Sequence, residues 1–160
     1  TAQSAFEDQK PVFLKVAPDL DATQLLEIVD TMRTHGAWLS GLIISNTTLD
    51  RPDNLQSSHR SGTGGLSGAP LLEKSTRELK EIASDLFGEF DLIGCGGIST
   101  GADAYAKIRA GAHAVQLYSA LVYHGPGLVA KINAELAGLL KADGFKSVEA
   151  AVGADLTSPS

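Results

Sequence analysis

Four apolar runs, each ending in polar residues and each followed by a helical stretch, constrain this chain more than any other feature in it. The first, Pro11-Val12-Phe13-Leu14-Lys15-Val16, is β-branched and aromatic and long enough for a buried strand. Asp21 and Gln24 then form a capping-box signature ahead of a stripe of Leu25, Leu26, Val29 and Met32, which Gly36 ends. The second run is Gly41-Leu42-Ile43-Ile44-Ser45. Its helix opens at Pro70, carries Leu72, Ser75, Leu79, Ile82 and Leu86 on one face, and stops at Gly88. The third and fourth runs predict strands over 91–95 and 114–118. Helices follow them over 102–110 and from Pro126, with Leu128, Ile132 and Leu136 inside, to Gly144. Strict alternation of this kind builds a parallel sheet with right-handed crossovers, so the predicted fold class is α/β.

The junction Leu92-Ile93-Gly94-Cys95-Gly96-Gly97-Ile98-Ser99-Thr100-Gly101 is the most telling of the four. Its glycines stand between a strand and a helix capped by Ser99 or Thr100, where backbone N–H groups are open to an anion. Further on, Ala114-Val115-Gln116-Leu117-Tyr118-Ser119 repeats the plan. Two neighbouring strand ends facing one anion site describe the last two units of a (β/α)8 barrel. A tight strand-to-helix turn with no ligand fits the same glycines. Residues 49–68 form the one long connection, with a second glycine cluster at its end. Loops of that length inside a compact domain are usually functional.

A chain of 160 residues suffices for one domain with a substantial core. The net charge of −6, with Lys and Arg scattered, argues against a nucleic-acid partner. One cysteine excludes a disulfide framework, and His35, His59, His113 and His124 lack ligand spacing, so no metal site is expected. No run approaches the length of a membrane span. The dinucleotide fingerprint fails because Ser99 stands where Gly94-x-Gly96 calls for a third glycine. No Ser–His–Asp set and no paired-carboxylate site can be named. The first residue is Thr1, not Met, in what reads as the middle of a helix around Ala5 and Phe6, so the chain is expected to be a fragment.

Polar residues collect where the strands exit: Lys15, then Ser45-Asn46-Thr47, Gly96-Gly97 and Tyr118-Ser119. In parallel α/β folds this edge receives the ligand. Lys15, inside Val-Phe-Leu-Lys-Val, either snorkels to solvent or pairs with an anion. Asn46 either makes an Asx turn or offers its donor and acceptor to the edge of a planar ring. Cys95 is a small filler or, as the minority reading, a reactive thiol.

Five motifs carry a family name. Lys15-Val16-Ala17-Pro18-Asp19-Leu20, Ser45-Asn46-Thr47-Thr48, Thr63-Gly64-Gly65-Leu66-Ser67-Gly68, Gly94-Cys95-Gly96-Gly97-Ile98 and Gln116-Leu117-Tyr118-Ser119 together resemble dihydroorotate dehydrogenase of the quinone-dependent, membrane-associated class. The resemblance runs from about Pro11 to Asp155 in order and spacing. It implies that residues 1–160 are the C-terminal half of an FMN-binding βα-barrel catalytic domain, about the last four units of a (β/α)8 TIM barrel. The implied activity is FMN-dependent oxidation of dihydroorotate to orotate with a quinone as electron acceptor, in de novo pyrimidine (UMP) biosynthesis.

On the same footing, Lys15 lies at the flavin ring, Ser45 contacts the flavin, and Gly68 and Gly97 approach FMN by backbone. Tyr118 and Ser119 donate to the FMN phosphate, while Asn46 and Thr47 hydrogen-bond orotate. The family's catalytic base is a serine of its first half, so no catalytic residue is expected here. That N-terminal half, in the same or a companion chain, is an expected partner. Membrane contact is expected through a segment absent from this sequence, making the enzyme a peripheral protein of the bacterial or mitochondrial inner membrane. Two departures are visible: Ser45 stands where Thr is usual, and Cys95 stands where Val is usual, in a position expected to be packing only. Two other readings stay open, a non-catalytic flavin- or phosphate-binding half-barrel and another FMN- or phosphate-binding barrel enzyme. Asn46-Thr47-Thr48 argues against the last, since phosphate binding alone needs no ring-reading Asn.

Overall fold

The computed structural model describes residues 10–156, so the helix expected around Ala5 and Phe6 lies outside the described residues. Strands β1 (Phe13–Val16), β2 (Gly41–Ile44), β3 (Asp91–Cys95) and β4 (Ala114–Gln116) form one parallel sheet in chain order. Helix α1 (Ala22–His35) follows β1, and α2 (Leu72–Leu86) follows β2 after the long loop and a 3-10 turn, Ala69–Leu71. Helix α3 (Gly101–Arg109) follows β3, while α4 (Ser119–His124) and α5 (Gly127–Ala142) follow β4. The Asp21–Gln24 capping box forms as expected, and Thr100 rather than Ser99 caps α3 through a second box with Asp103. Strand β4 ends two residues early, at Gln116, because its partner on β3 ends at Cys95 and Gly96 turns away with φ +106°. Helix α4 is new. Its six residues are too few for a periodic signal, and Tyr118 gives it no side-chain cap.

The register separates two faces. Val16, Leu42, Ile44 and Leu92 are buried, and they pack with Val29 and Met32 of α1 and Leu79, Ile82, Ala83 and Leu86 of α2. Lys15, Ile43 and Ile93, one residue out of step, sit on the opposite face, and none is buried. That face has no helical cover among the described residues. A second core joins Tyr105 and Ile108 of α3 to Leu136 and Leu140 of α5. Arg109 staples the C-terminal segment onto it, pairing with Asp143 at 2.9 Å and with Asp155.

Glu78 of α2 is 5% exposed, and neither carboxylate oxygen has a partner. Burial pushes its carboxyl up to about 7. A carboxyl raised in the folded state binds its proton more tightly there, so stability falls as pH rises from the unfolded value of 4.5 to about 7. By linkage this costs roughly 3 kcal/mol above that window. Glu78→Met is therefore expected to raise the melting temperature at pH 8 and to flatten its decline between pH 5 and 7. An unchanged pH profile would mean that Glu78 finds a partner.

Candidate functional site

The C-terminal ends of all four strands open into one cavity of about 510 Å³, within the range of small-molecule sites. Lys15 enters from β1 and Ser45, Asn46 and Thr47 from the segment after β2. Gly68 comes from the end of the long loop, Gly97 from the β3–α3 turn, and Tyr118 and Ser119 from the start of α4. Every residue singled out for a site in the sequence is thus on this wall. Ser67 is there too, its hydroxyl 2.9 Å from that of Ser119, a contact hidden in sequence by a separation of 52 positions.

The β1 and β2 exits are locked by backbone. Ser45 N–H donates to Cys95 O at 3.1 Å and Asn46 N–H to Val16 O at 2.8 Å. The Ile44–Ser45 peptide between strand and site is cis. Ser45 is 1% exposed and donates its hydroxyl to Asn46 O at 3.1 Å. Lys15 stays exposed, its Nζ 4.0 Å from the Cys95 thiol. Cys95 is thus not mere packing: β3 turns its side chain into the cavity beside the lysine.

Cross-links far apart in sequence fix the rim. Asp19 accepts from Leu49 N–H at 2.8 Å, from Lys74 Nζ at 2.6 Å and from the Thr48 hydroxyl. Burial would raise its carboxyl, but those hydrogen bonds outweigh burial and hold it below the usual range. Thr48 and Leu66 exchange backbone hydrogen bonds of 3.1 and 2.8 Å, closing the long loop at its base. Within the loop, the Arg51 guanidinium donates to the carbonyls of Leu49 at 3.1 Å, Asp50 at 3.0 Å, Gly62 at 2.6 Å and Gly64.

The β3–α3 turn departs from the expected anion site in one respect. The first amides of α3 are already satisfied: Asp103 accepts from Ser99 and Thr100 N–H, both at 2.9 Å, and Glu135 accepts from Gly101 N–H at 2.7 Å. The N–H groups of Gly97 and Ile98 have no acceptor among the described residues, and both residues line the cavity. An anion here would rest on the glycine turn, not on the helix terminus. Gly97 has φ +78°, and a Cβ there would stand 2.5 Å from Leu72 Cα. The glycine is therefore required by close packing against α2. Gly97→Val is expected to displace the turn from α2 and lower the melting temperature by several degrees; an unchanged melting temperature would refute this.

The lining contains Lys15 and His124 and no carboxylate, so the cavity favours an anionic ligand. Its two regions suit different groups: amides at the turn for a phosphate, and Asn46 with Thr47 for the polar edge of a ring. Among the described residues no cluster of three His, Cys, Asp or Glu could hold a metal, and no helix is long and apolar enough to cross a membrane.

Known proteins resemble this chain in sequence and fold. The family model for dihydroorotate dehydrogenase matches residues 1–140. Dihydroorotate dehydrogenase (quinone) of Azorhizobium caulinodans is 56% identical over 146 residues, covering 91% of this chain and 40% of that protein. The mitochondrial quinone enzyme of Oryza sativa is 49% identical over 154 residues, covering 96% of this chain and 32% of that protein. The crystal structure of the Eimeria tenella dehydrogenase in complex with ferulenol superposes with a TM-score of 0.87 and 41% identity, over 91% of this chain and 38% of that one. This chain spans 40% or less of the length of these two curated relatives. The matched family model, the identity to these relatives and the shared fold agree: the chain belongs to the dihydroorotate dehydrogenase family.

Proposed function

We propose that this chain is the C-terminal half of a quinone-dependent dihydroorotate dehydrogenase, oxidising dihydroorotate to orotate in pyrimidine biosynthesis. On this reading its four units complete an eight-unit barrel with an N-terminal half, in the same chain or a companion. That half supplies the serine base and a membrane-contacting segment, which makes the enzyme a peripheral protein of the bacterial or mitochondrial inner membrane. The observation that carries the reading is the convergence of all eight motif residues on one carboxylate-free cavity.

FMN is the cofactor proposed, and when bound it supplies the two-electron acceptor for the substrate. The unpaired Gly97 and Ile98 amides, with Tyr118 and Ser119, would hold its phosphate. Ser45 and the Gly68 backbone would border its ring system. Lys15 would place its ammonium group at the cavity wall, beside the ring system that would take up the electrons. Asn46 and Thr47 orient the pyrimidine by its amide edges, donor to carbonyl and acceptor to N–H.

The test is dihydroorotate-dependent quinone reduction by the complete enzyme and its Asn46→Ala variant. Losing hydrogen bonds to a bound polar ring is expected to raise KM for dihydroorotate by about 10–100-fold with flavin content unchanged. A wild-type KM would remove Asn46 from the substrate site, and an enzyme inactive with dihydroorotate would sink the whole assignment.

A further inference from the structure

Lys107 of α3 is the largest fully buried side chain of the described residues, and no carboxylate lies within hydrogen-bond reach of it. Its Nζ donates to the Ser75 hydroxyl at 2.8 Å and to the Thr76 hydroxyl at 3.0 Å, both on α2. The side chain passes behind β3 where Gly94 makes room: a Cβ at Gly94 would stand 3.0 Å from Lys107 Cδ. Burial pushes the ammonium down to about 8. A lysine buried at such a cost against two neutral hydroxyls calls for a reason beyond packing.

The reason lies one hydrogen bond further on. An ammonium only donates, so the Ser75 oxygen accepts from Lys107 and its own proton must point elsewhere. Two acceptors lie within reach of that single proton, Leu72 O at 3.2 Å and Gly96 O at 3.3 Å. Gly96 packs directly on this serine; a Cβ there would meet Ser75 Oγ at 2.8 Å. The Gly96–Gly97 peptide is trans, so a carbonyl drawn toward α2 turns the Gly97 N–H to the opposite, cavity side.

We propose that Lys107 is a positioning residue for phosphate recognition: through Ser75 it holds the Gly96 carbonyl against α2 and so aims the unpaired Gly97 amide into the cavity. This rests on the reading that the FMN phosphate occupies the glycine turn. Lys107 itself touches no ligand. Its effect is confined to the phosphate end, since the ring end is held by the β1 and β2 exits and by the loop.

The experiment is flavin rebinding to the flavin-free complete enzyme, followed by fluorescence quenching with FMN and, in parallel, with riboflavin, which lacks the phosphate. Lys107→Met and Ser75→Ala are each expected to weaken FMN about 10–100-fold and riboflavin less than about 2-fold. The double variant is expected to lose no more than either single one, because both act through the same bond. Thr76→Val keeps wild-type FMN affinity, since the Thr76 hydroxyl donates to Leu72 O at 2.7 Å and does not reach Gly96. Equal losses for FMN and riboflavin, or additive losses in the double variant, would make Lys107 a lysine of the core alone and overturn the proposal. If Lys107→Met does not fold, Ser75→Ala decides by the same ratio. A wild-type enzyme that binds riboflavin as tightly as FMN would remove the phosphate from the turn and take both readings with it.

Discussion

Residues 1–160 expressed alone are expected to give no measurable dihydroorotate-dependent quinone reduction and to self-associate. Strands β1 and β4 each keep one unpaired edge, and exposed edges template pairing with another chain. The sheet face bearing Ile43 and Ile93 has no helical cover among the described residues, and Leu14 on the β1 edge is 46% exposed. Proton abstraction also needs a positioned base, worth roughly 10²–10⁴ in rate. Ser45 already donates to the Asn46 carbonyl, and Ser119 is paired with Ser67. Sedimentation velocity with a quinone-reduction assay on the same fractions checks both halves of the expectation. A monomeric fraction that turns over would place the base within these residues.

Lys15→Ala in the complete enzyme is expected to slow the reductive half-reaction by about 10²–10³-fold, the usual loss when a group facing developing charge is removed. FMN affinity should fall far less. The ammonium is exposed and its nearest partner is a thiol at 4.0 Å, so the resting site gains little from it. Its value rises only as negative charge accumulates beside it, and an interaction made stronger late in the reaction acts on rate more than on binding. Stopped-flow absorbance at saturating dihydroorotate measures the first quantity, and flavin rebinding the second. An unchanged reduction rate would leave Lys15 as a strand-end lysine reaching solvent.

The parallel architecture was legible because β-branched runs and capped amphipathic stretches alternate without exception, and both predicted caps close in the structure. The common cavity was legible because motif residues fall at strand exits, where the topology has to bring them together. What stayed hidden depends on partners distant in sequence. Lys107 lies in Tyr-Ala-Lys-Ile, which reads as an ordinary amphipathic helix, and only α2 packing shows the lysine to be inside. Glu78, in α2, likewise gives no sign of its burial in the sequence. The occupied amides of α3 needed Glu135, 34 residues on, to be seen. Cys95, expected only to pack, alternates with Gly94 onto the open face that carries Ile93, and its place beside Lys15 shows only when the neighbouring strands are set in register.

The Arg51 clamp has a bearing on engineering. Its guanidinium grips only main-chain oxygens, those of Thr48, Leu49, Asp50, Gly62 and Gly64, and a carbonyl presents the same acceptor whatever side chain follows it. Residues 56–60, between the two gripped ends, are exposed. The tip of this loop is therefore a place where a tag, a reporter peptide or a randomised library could be spliced in with the rim still pinned, provided the arginine itself is kept.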